Sequence, residues 1–193
     1  MTPDIEAWQA WHPRVAASRL AGVAAPWCVA AGWAVDLHVG RQTRDHEDLE
    51  IAVPEAGFAE IAGRFPEMAF YAPGNGRVVP ATPAAMAEAH QTWAWDTEAE
   101  VWRFDVFRET HDGDLWISRR SKTLIRPYAE IVRTSSEGIP YLAPEVVLLF
   151  KAKHQRAKDE ADYATLAPLL TAAERAWLND ALAVVHPGHP WIA

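Results

Sequence analysis

Cys28 is the only cysteine in 193 residues, which excludes a disulfide framework within the chain and fits a reducing compartment. Long apolar runs are missing too. The longest uncharged stretch, Leu20 to Val35, contains Gly22, Pro26 and Gly32 and falls short of the ~20 apolar residues that a bilayer span needs. No block of Lys or Arg occurs, and 18 Lys+Arg against 26 Asp+Glu leave a net charge of −8. A nucleic-acid partner is therefore not expected, because affinity for a phosphate backbone is built mainly from Lys and Arg. The start, Met1-Thr2-Pro3-Asp4-Ile5-Glu6, is acidic where a secretory leader is basic, so a cytoplasmic protein comprising the whole chain, with no membrane partner, is expected. No period of 20 to 50 residues recurs, which removes solenoids and propellers. Gly-x-Ser-x-Gly, Gly-x-x-x-x-Gly-Lys and His-Glu-x-x-His patterns are absent, and with them the serine hydrolase, P-loop and zincin readings.

What is present suits one domain, or one domain with a small annex. Half of the residues are hydrophobic and 10 are Trp, and a chain of this size removes roughly 70% of its unfolded surface from water. Ile5 to Ala25 carries Ile5, Trp8, Trp11, Val15 and Leu20 at near-helical spacing, which predicts one or two helices, with Pro13 as a break or first-turn residue. Trp27 to Ala30 reads as a short strand, followed by a turn at Ala31-Gly32 and a short helix that stops at Gly40. Asp48 to Val53 alternates polar and apolar residues up to Pro54, as a strand does. A helix from about Glu55 to Arg64 and a run of β structure follow, namely Met68–Tyr71, Arg77–Val79, Gln91–Trp95, Val101–Phe107 and Leu115–Ser118. Pro144-Glu145 then opens a helix expected to run unbroken to Leu166, and Thr171 with Glu174 signals the start of a last helix ending near Val185. The expected fold class is α/β (α+β), a mixed sheet flanked by helices, with a core over residues 1–139 and a helical C-terminal region over 140–193.

The candidate chemistry lies between Ala31 and Glu50. Residues two apart on a strand share a face, so Asp48 and Glu50 can offer two carboxylates to one ion. Hard oxygen ligands on a rigid element suit Mg²⁺, which completes its shell with water and substrate phosphates. Asp105, on another predicted strand, supplies a third carboxylate, enough for two metals and activation of a hydroxyl. The Gly32 turn opens a helix whose N–H groups can face a phosphate. Asp36 is expected to cap or brace that helix, and Arg44 to pair with Asp45 or Asp48. Lys151, His154 and Lys158 would share one helix face at spacings of three and four. The bland readings are an exposed strand face for Asp48 and Glu50 and an ion pair with Arg103 or Arg108 for Asp105. Trp93, Trp95, Trp102 and Trp116 suit either an acceptor pocket or a buried sheet face. Cys28 reads as a small buried hydrophobe.

At Gly32-Trp33-Ala34-Val35-Asp36, Arg44, His46, Asp48, Glu50 and Asp105 the sequence resembles the nucleotidyltransferase superfamily that includes polymerase beta, and more narrowly its aminoglycoside and lincosamide branch. The segment from Tyr141 to Asp162 also looks like that branch's C-terminal helix. The resemblance implies transfer of a nucleoside monophosphate from a nucleoside triphosphate, ATP foremost, to a hydroxyl of a small acceptor such as an aminoglycoside. It implies Mg²⁺ on Asp48, Glu50 and Asp105, with Asp105 also the general base, phosphates admitted at Gly32, and Lys151 adding charge to the leaving pyrophosphate. Ala31 stands where the branch has the first Gly of a pair, a departure that costs strain if the position needs a positive φ. Two alternatives are a scaffold of this fold that binds a ligand or protein without catalysis, and a zinc hydrolase built on His46, His90 and His111.

Overall fold

The computed structural model describes residues 2–192. In chain order the elements are α1 (Pro13–Arg19), β1 (Cys28–Val29), α2 (Ala31–Val39), β2 (Glu50–Pro54), α3 (Phe58–Gly63), β3 (Met68–Gly74), β4 (Arg77–Pro80), α4 (Pro83–Glu88), β5 (Gln91–Asp96) and β6 (Val101–Glu109). They continue with β7 (His111–Asp112), β8 (Leu115–Ile117), β9 (Ile125–Pro127), α5 (Tyr128–Ile131), β10 (Val132–Thr134), β11 (Pro140–Leu142), α6 (Pro144–Lys151), α7 (Ala157–Leu166) and α8 (Ala172–Val185). Eight strands form one sheet in the order β10-β11-β1-β2-β6-β5-β3-β4, and β7-β8-β9 form a second, small one. β1 with β11 and β2 with β6 are parallel pairs, and the other pairs are antiparallel. This is the expected mixed α/β class with a helical C-terminus. β11, directly after the expected boundary at 139/140, is a strand of the main sheet between β10 and β1.

Helix α6 explains why the sheet and the last helices hold together. Its Val146, Val147, Leu148 and Leu149 are all buried, and a helix apolar on every side can satisfy itself only inside a core. It packs against α2, α7 and α8. Glu145 in its first turn is fully buried but meets Arg126 of β9 at 2.7 Å, so the carboxylate is not left unpaired.

Of the one or two helices expected between Ile5 and Ala25 one forms, α1, with Pro13 in its first turn as expected, because the residue before Pro13 is driven from helical ψ. His12 instead caps α1, its Nδ1 accepting from the Arg14 N–H at 3.2 Å. Upstream, residues 7–11 lie along the start of β6 where β2 has not yet begun, with Gln9 N–H donating to Trp102 O and Trp102 N–H to Ala7 O. There Trp8, Trp93, Trp95 and Trp102 form an aromatic cluster with ring centroids 4.7 to 6.2 Å apart.

The helix expected from Pro144 to Leu166 is two helices. It stops at Lys151, and Gln155 takes a left-handed φ of 48° before α7 starts. Residues 152–156 hold no breaker, so tertiary contacts override propensity: Asp159 accepts from the Arg156 N–H at 3.1 Å to start α7, and His189 reaches the Ala152 carbonyl at the end of α6 at 3.0 Å. The shared helix face for Lys151, His154 and Lys158 therefore does not exist. α4, β9, β10 and β11 also form outside the expected elements, being short pieces of 3 to 6 residues whose pairing is set at long range.

Candidate active site

The site is assembled where β1 ends and β2 begins, beside the middle of β6. Residue Ala31, immediately after β1, adopts φ 48°, the left-handed conformation that an L side chain disfavours. The expected strain at this position is real, and the turn forms in spite of it. Gly32 is needed for a different, steric reason. A Cβ there would lie 2.6 Å from His46 Nδ1 and against the Arg44 guanidinium. Both side chains lie over the turn, and His46 also packs on Trp33 with centroids 4.3 Å apart.

Asp36 braces this loop rather than capping α2. Its Oδ1 accepts from Thr43 N–H at 3.0 Å and from the Thr43 hydroxyl at 2.5 Å, while its Oδ2 meets His46 Nε2 at 2.5 Å. Burial, opposed by the hydrogen bond with Asp36 and reinforced by Arg44, holds the His46 pKa below its ordinary value. Arg44 does not pair with Asp45 or Asp48 side chains. Instead it grips Asp162 of α7 with two bonds of 3.3 Å. Asp162 also takes Lys151 Nζ at 2.6 Å, and Asp159 takes Lys151 at 3.6 Å and Arg156 at 2.8 Å. Loop 40–49, α6 and α7 are joined by this paired network.

The three carboxylates have no such partners. Glu50 opens β2, and Asp48 precedes the strand by two residues, with the buried Leu49 between them facing the core. Glu50 and Asp105 are register partners across the parallel pair β2–β6, which puts their side chains on one face of the sheet. Burial, with Asp48 and Asp105 adding repulsion, pushes the Glu50 pKa up to about 8. Burial also drives Asp105 to about 7 against the pull of Gln91, whose amide donates to Oδ2 at 2.5 Å. Asp105 Oδ1 is buried and accepts nothing. Arg103 pairs with Asp96 at 3.0 Å, and Arg108 turns to Glu55 and Thr92, so the bland ion-pair reading of Asp105 is excluded.

Among the described residues no three His, Cys, Asp or Glu side chains stand close enough to hold an ion as they are placed. That also leaves His46, His90 and His111 without the grouping a zinc site needs. The donor chemistry of Asp48, Glu50 and Asp105 nonetheless fits a divalent cation: hard oxygens, mutual repulsion, and one orphaned buried oxygen that a cation would satisfy.

A cavity of about 760 Å³ opens over Asp48 and Glu50, lined also by the Ala31-Gly32 turn, Gln91, Phe107, Glu109, Arg119, Arg120 and Lys151 among others, with Asp105 bonded to Gln91 but not itself in the lining. It is within the size range of small-molecule sites. No Trp lines it, so the tryptophans serve the sheet and core and not an acceptor pocket. Trp116 is buried against Phe150, and Cys28 is a buried free thiol. Of the lining residues, Gln91, Arg119 and Arg120 are not among the residues the sequence singles out, and His90 is there only as a zinc candidate, although the alternation Gln91, Trp93, Trp95 on β5 marks Gln91 as facing the same side as Asp105.

The fold resembles that of solved antibiotic adenylyltransferases. A model of the aminoglycoside-2''-adenylyltransferase family matches residues 14–88, a span that holds Gly32, Asp48 and Glu50. No curated protein matches the chain in sequence. The solution structure of the antibiotic-resistance factor ANT(2'')-Ia is 15% identical, with 89% of this chain and 88% of that one aligned at a TM-score of 0.57. The crystal structure of ANT(2'')-Ia in complex with adenylyl-2''-tobramycin is 12% identical over 89% and 94% of the chains, TM-score 0.55. The lincomycin-bound lincosamide antibiotic adenylyltransferase LnuA is 16% identical over 75% and 87%, TM-score 0.51. The chain has the fold of these proteins, and its resemblance to the aminoglycoside and lincosamide branch extends from the first-half motifs to the whole architecture. No helix among the described residues is long and apolar enough to cross a membrane.

Proposed function

We propose that this protein is a metal-dependent nucleotidyltransferase that moves a nucleoside monophosphate, adenylate foremost, from a nucleoside triphosphate to a hydroxyl of a small molecule. The observation that carries the reading is Asp48 and Glu50 in the lining of a 760 Å³ cavity beside a helix-opening turn, with Asp105 in register with Glu50 on the next strand. Like charges gathered without a basic partner cost stability, and such a cost is retained where function uses it. Asp48, Glu50 and Asp105 are the residues that would hold Mg²⁺, which supplies charge neutralisation to the triphosphate and a polarised acceptor oxygen. The remaining steps belong to the chain itself. The Gly32 turn and the Arg44 guanidinium over it receive phosphate oxygens, and Lys151, at the end of α6, adds positive charge where pyrophosphate departs. Asp105, with a pKa of about 7, takes the proton of the acceptor hydroxyl as its oxygen bonds to the α-phosphorus and the bond to pyrophosphate breaks. Gln91 fixes which Asp105 oxygen is free for that proton by occupying the other.

Calorimetric titration of the protein with a non-hydrolysable ATP analogue, with and without Mg²⁺, tests this. Metal-dependent binding that the Asp48→Ala/Glu50→Ala double variant loses is the expected result. A folded parent protein that binds no nucleotide in Mg²⁺ would overturn the reading and leave the fold as a ligand- or protein-binding scaffold.

A further inference from the structure

The cavity continues past the carboxylates, and its two flanks differ in what they leave unneutralised. The sheet order β1-β2-β6-β5 sets the Gly32 turn after β1 on one side of the carboxylates and His90 and Gln91, leading into β5, on the other. On the turn's flank the bases of the network are matched, Arg44 and Lys151 by Asp162 and Arg156 by Asp159, while Lys158 of α7 also lines the cavity and forms no ion pair among the described residues. The unpaired acids Asp45 and Glu47 stand on that flank, on the loop before β2. On the far flank the balance reverses. Glu109 is consumed there by Trp116 Nε1 at 3.0 Å and Arg119 Nη1 at 2.6 Å. Arg119 lies over the Phe150 ring at 4.0 Å. Arg120, next to it, has a buried Nε with no acceptor and forms no ion pair among the described residues, and neither does Lys153. Burial first, then Arg119, Arg120, Arg108 and Lys153, hold the His90 ring well below its ordinary pKa, so His90 adds no charge of either sign to this flank.

We propose that this far flank is the acceptor's end of the cavity and that it takes an anionic acceptor, a small hydroxyl compound carrying a carboxylate or phosphate, with Arg120 and Lys153 as the residues that select it. A polycation would enter beside two unneutralised bases with its only carboxylate, Glu109, already doubly bonded, and like-charge placement of this kind rejects a partner. An oxyanion pairs with the Arg120 guanidinium and the Lys153 ammonium, both of which line the cavity. The assignment of this flank to the acceptor rests on the nucleotidyltransferase reading, which places the triphosphate on the turn.

The test is calorimetry in Mg²⁺ with glucose 6-phosphate, glucuronate and tobramycin as probes, each titrated into free protein and into protein saturated with the non-hydrolysable ATP analogue. At least one anion should bind about tenfold or more tightly than tobramycin. Arg120→Gln and Lys153→Gln should each weaken the anion by about tenfold, the size of a lost charge-assisted hydrogen bond, while changing the affinity for the ATP analogue by less than about threefold. Lys153 is exposed, so Lys153→Gln keeps the test valid if Arg120→Gln melts early. Three results overturn the proposal: tobramycin binding at least as well as both anions, no anion binding or anion binding indifferent to both variants, or a comparable loss for the ATP analogue, which would give this flank to the triphosphate. If the parent binds anions through Arg120 but no nucleotide, the anion site stands and the nucleotidyltransferase reading falls.

Discussion

Two groups of buried charge lie side by side in this protein and are built on opposite principles. In the first, Asp36, Asp159 and Asp162 are answered by His46, Thr43, Arg44, Lys151 and Arg156. In the second, Asp48, Glu50 and Asp105 face one another with no base closer than the network next door, and two of them have pKa values raised to about 8 and about 7. Paired acids are support: they fix loop 40–49 on α7 and hold Arg44 over the turn. Unpaired acids beside them, half-buried at Asp48 and Glu50 and buried at Asp105, are a vacancy for positive charge. The contrast separates the residues that shape the site from the residues that act in it, which their shared acidity does not.

That contrast predicts different failures. Removing an unpaired acid should cost function and spare the fold. Asp48→Ala is expected to reduce triphosphate-dependent turnover by about 10²-fold or more, the scale of a lost electrostatic stabiliser, with the thermal midpoint unchanged or raised. Turnover equal to the parent would remove Asp48 from the site. Removing a base from the paired group should instead cost the fold, and at Lys151, which also faces the departing pyrophosphate, function as well. Lys151→Met leaves Asp159, fully buried, and Asp162 short of a cation, and breaking a buried pair costs about 3–5 kcal/mol. A urea-denaturation loss under about 1 kcal/mol would show that Arg44 and Arg156 suffice, and would blur the distinction.

A smaller effect sharpens the comparison by its sign. The Glu50 carboxyl titrates near 8 when folded and near 4.5 when unfolded, so the folded state holds its proton more tightly. Its ionisation therefore costs nothing below the unfolded value, and stability is lost as pH rises from about 4.5 toward 8. Glu50→Gln should stabilise the divalent-free protein at pH 7.5 by about 1–2 kcal/mol and leave it nearly unchanged at pH 4.5. Thermal melts in chelator at the two pH values check this. Destabilisation at pH 7.5 would mean that Glu50 has a partner in solution that the structure does not show.

The sequence made the second group legible and concealed the first. Asp48 and Glu50 lie two apart beside a turn and a strand, and Asp105 sits in a strand of strong alternation, so local spacing suffices. Arg44 meets Asp162 across 118 residues, and nothing local in either segment says so. The same reason hid the break after Lys151: residues 152–156 are acceptable helix formers, stopped by Asp159 and by His189 from the far end of the chain. Arg119 and Arg120 follow a three-residue strand of a separate small sheet, and only the folded chain brings them to the cavity that holds Asp48. What the alternation and turn signals do carry is the central part of the sheet, from β1 to β6, where each strand's neighbours are set by its apolar face.

The smallest expected effect concerns the hinge between the two groups, Ala31. Its φ of 48° places a Cβ in the left-handed region, which costs about 1–2 kcal/mol. A glycine there removes the clash but enlarges the freedom of the unfolded chain, which returns about 0.4–1 kcal/mol. Ala31→Gly should therefore stabilise the protein by about 0.5 kcal/mol, a shift of only a degree or two in thermal midpoint for a chain of this length. Because Ala31 touches neither the paired network nor the carboxylates, the variant isolates the turn. A gain in nucleotide affinity larger than the gain in stability would mean that the methyl group itself obstructs the phosphates. An equal or smaller gain would mean that the strain is only conformational, and that the turn receives its ligand with alanine as well as it would with glycine.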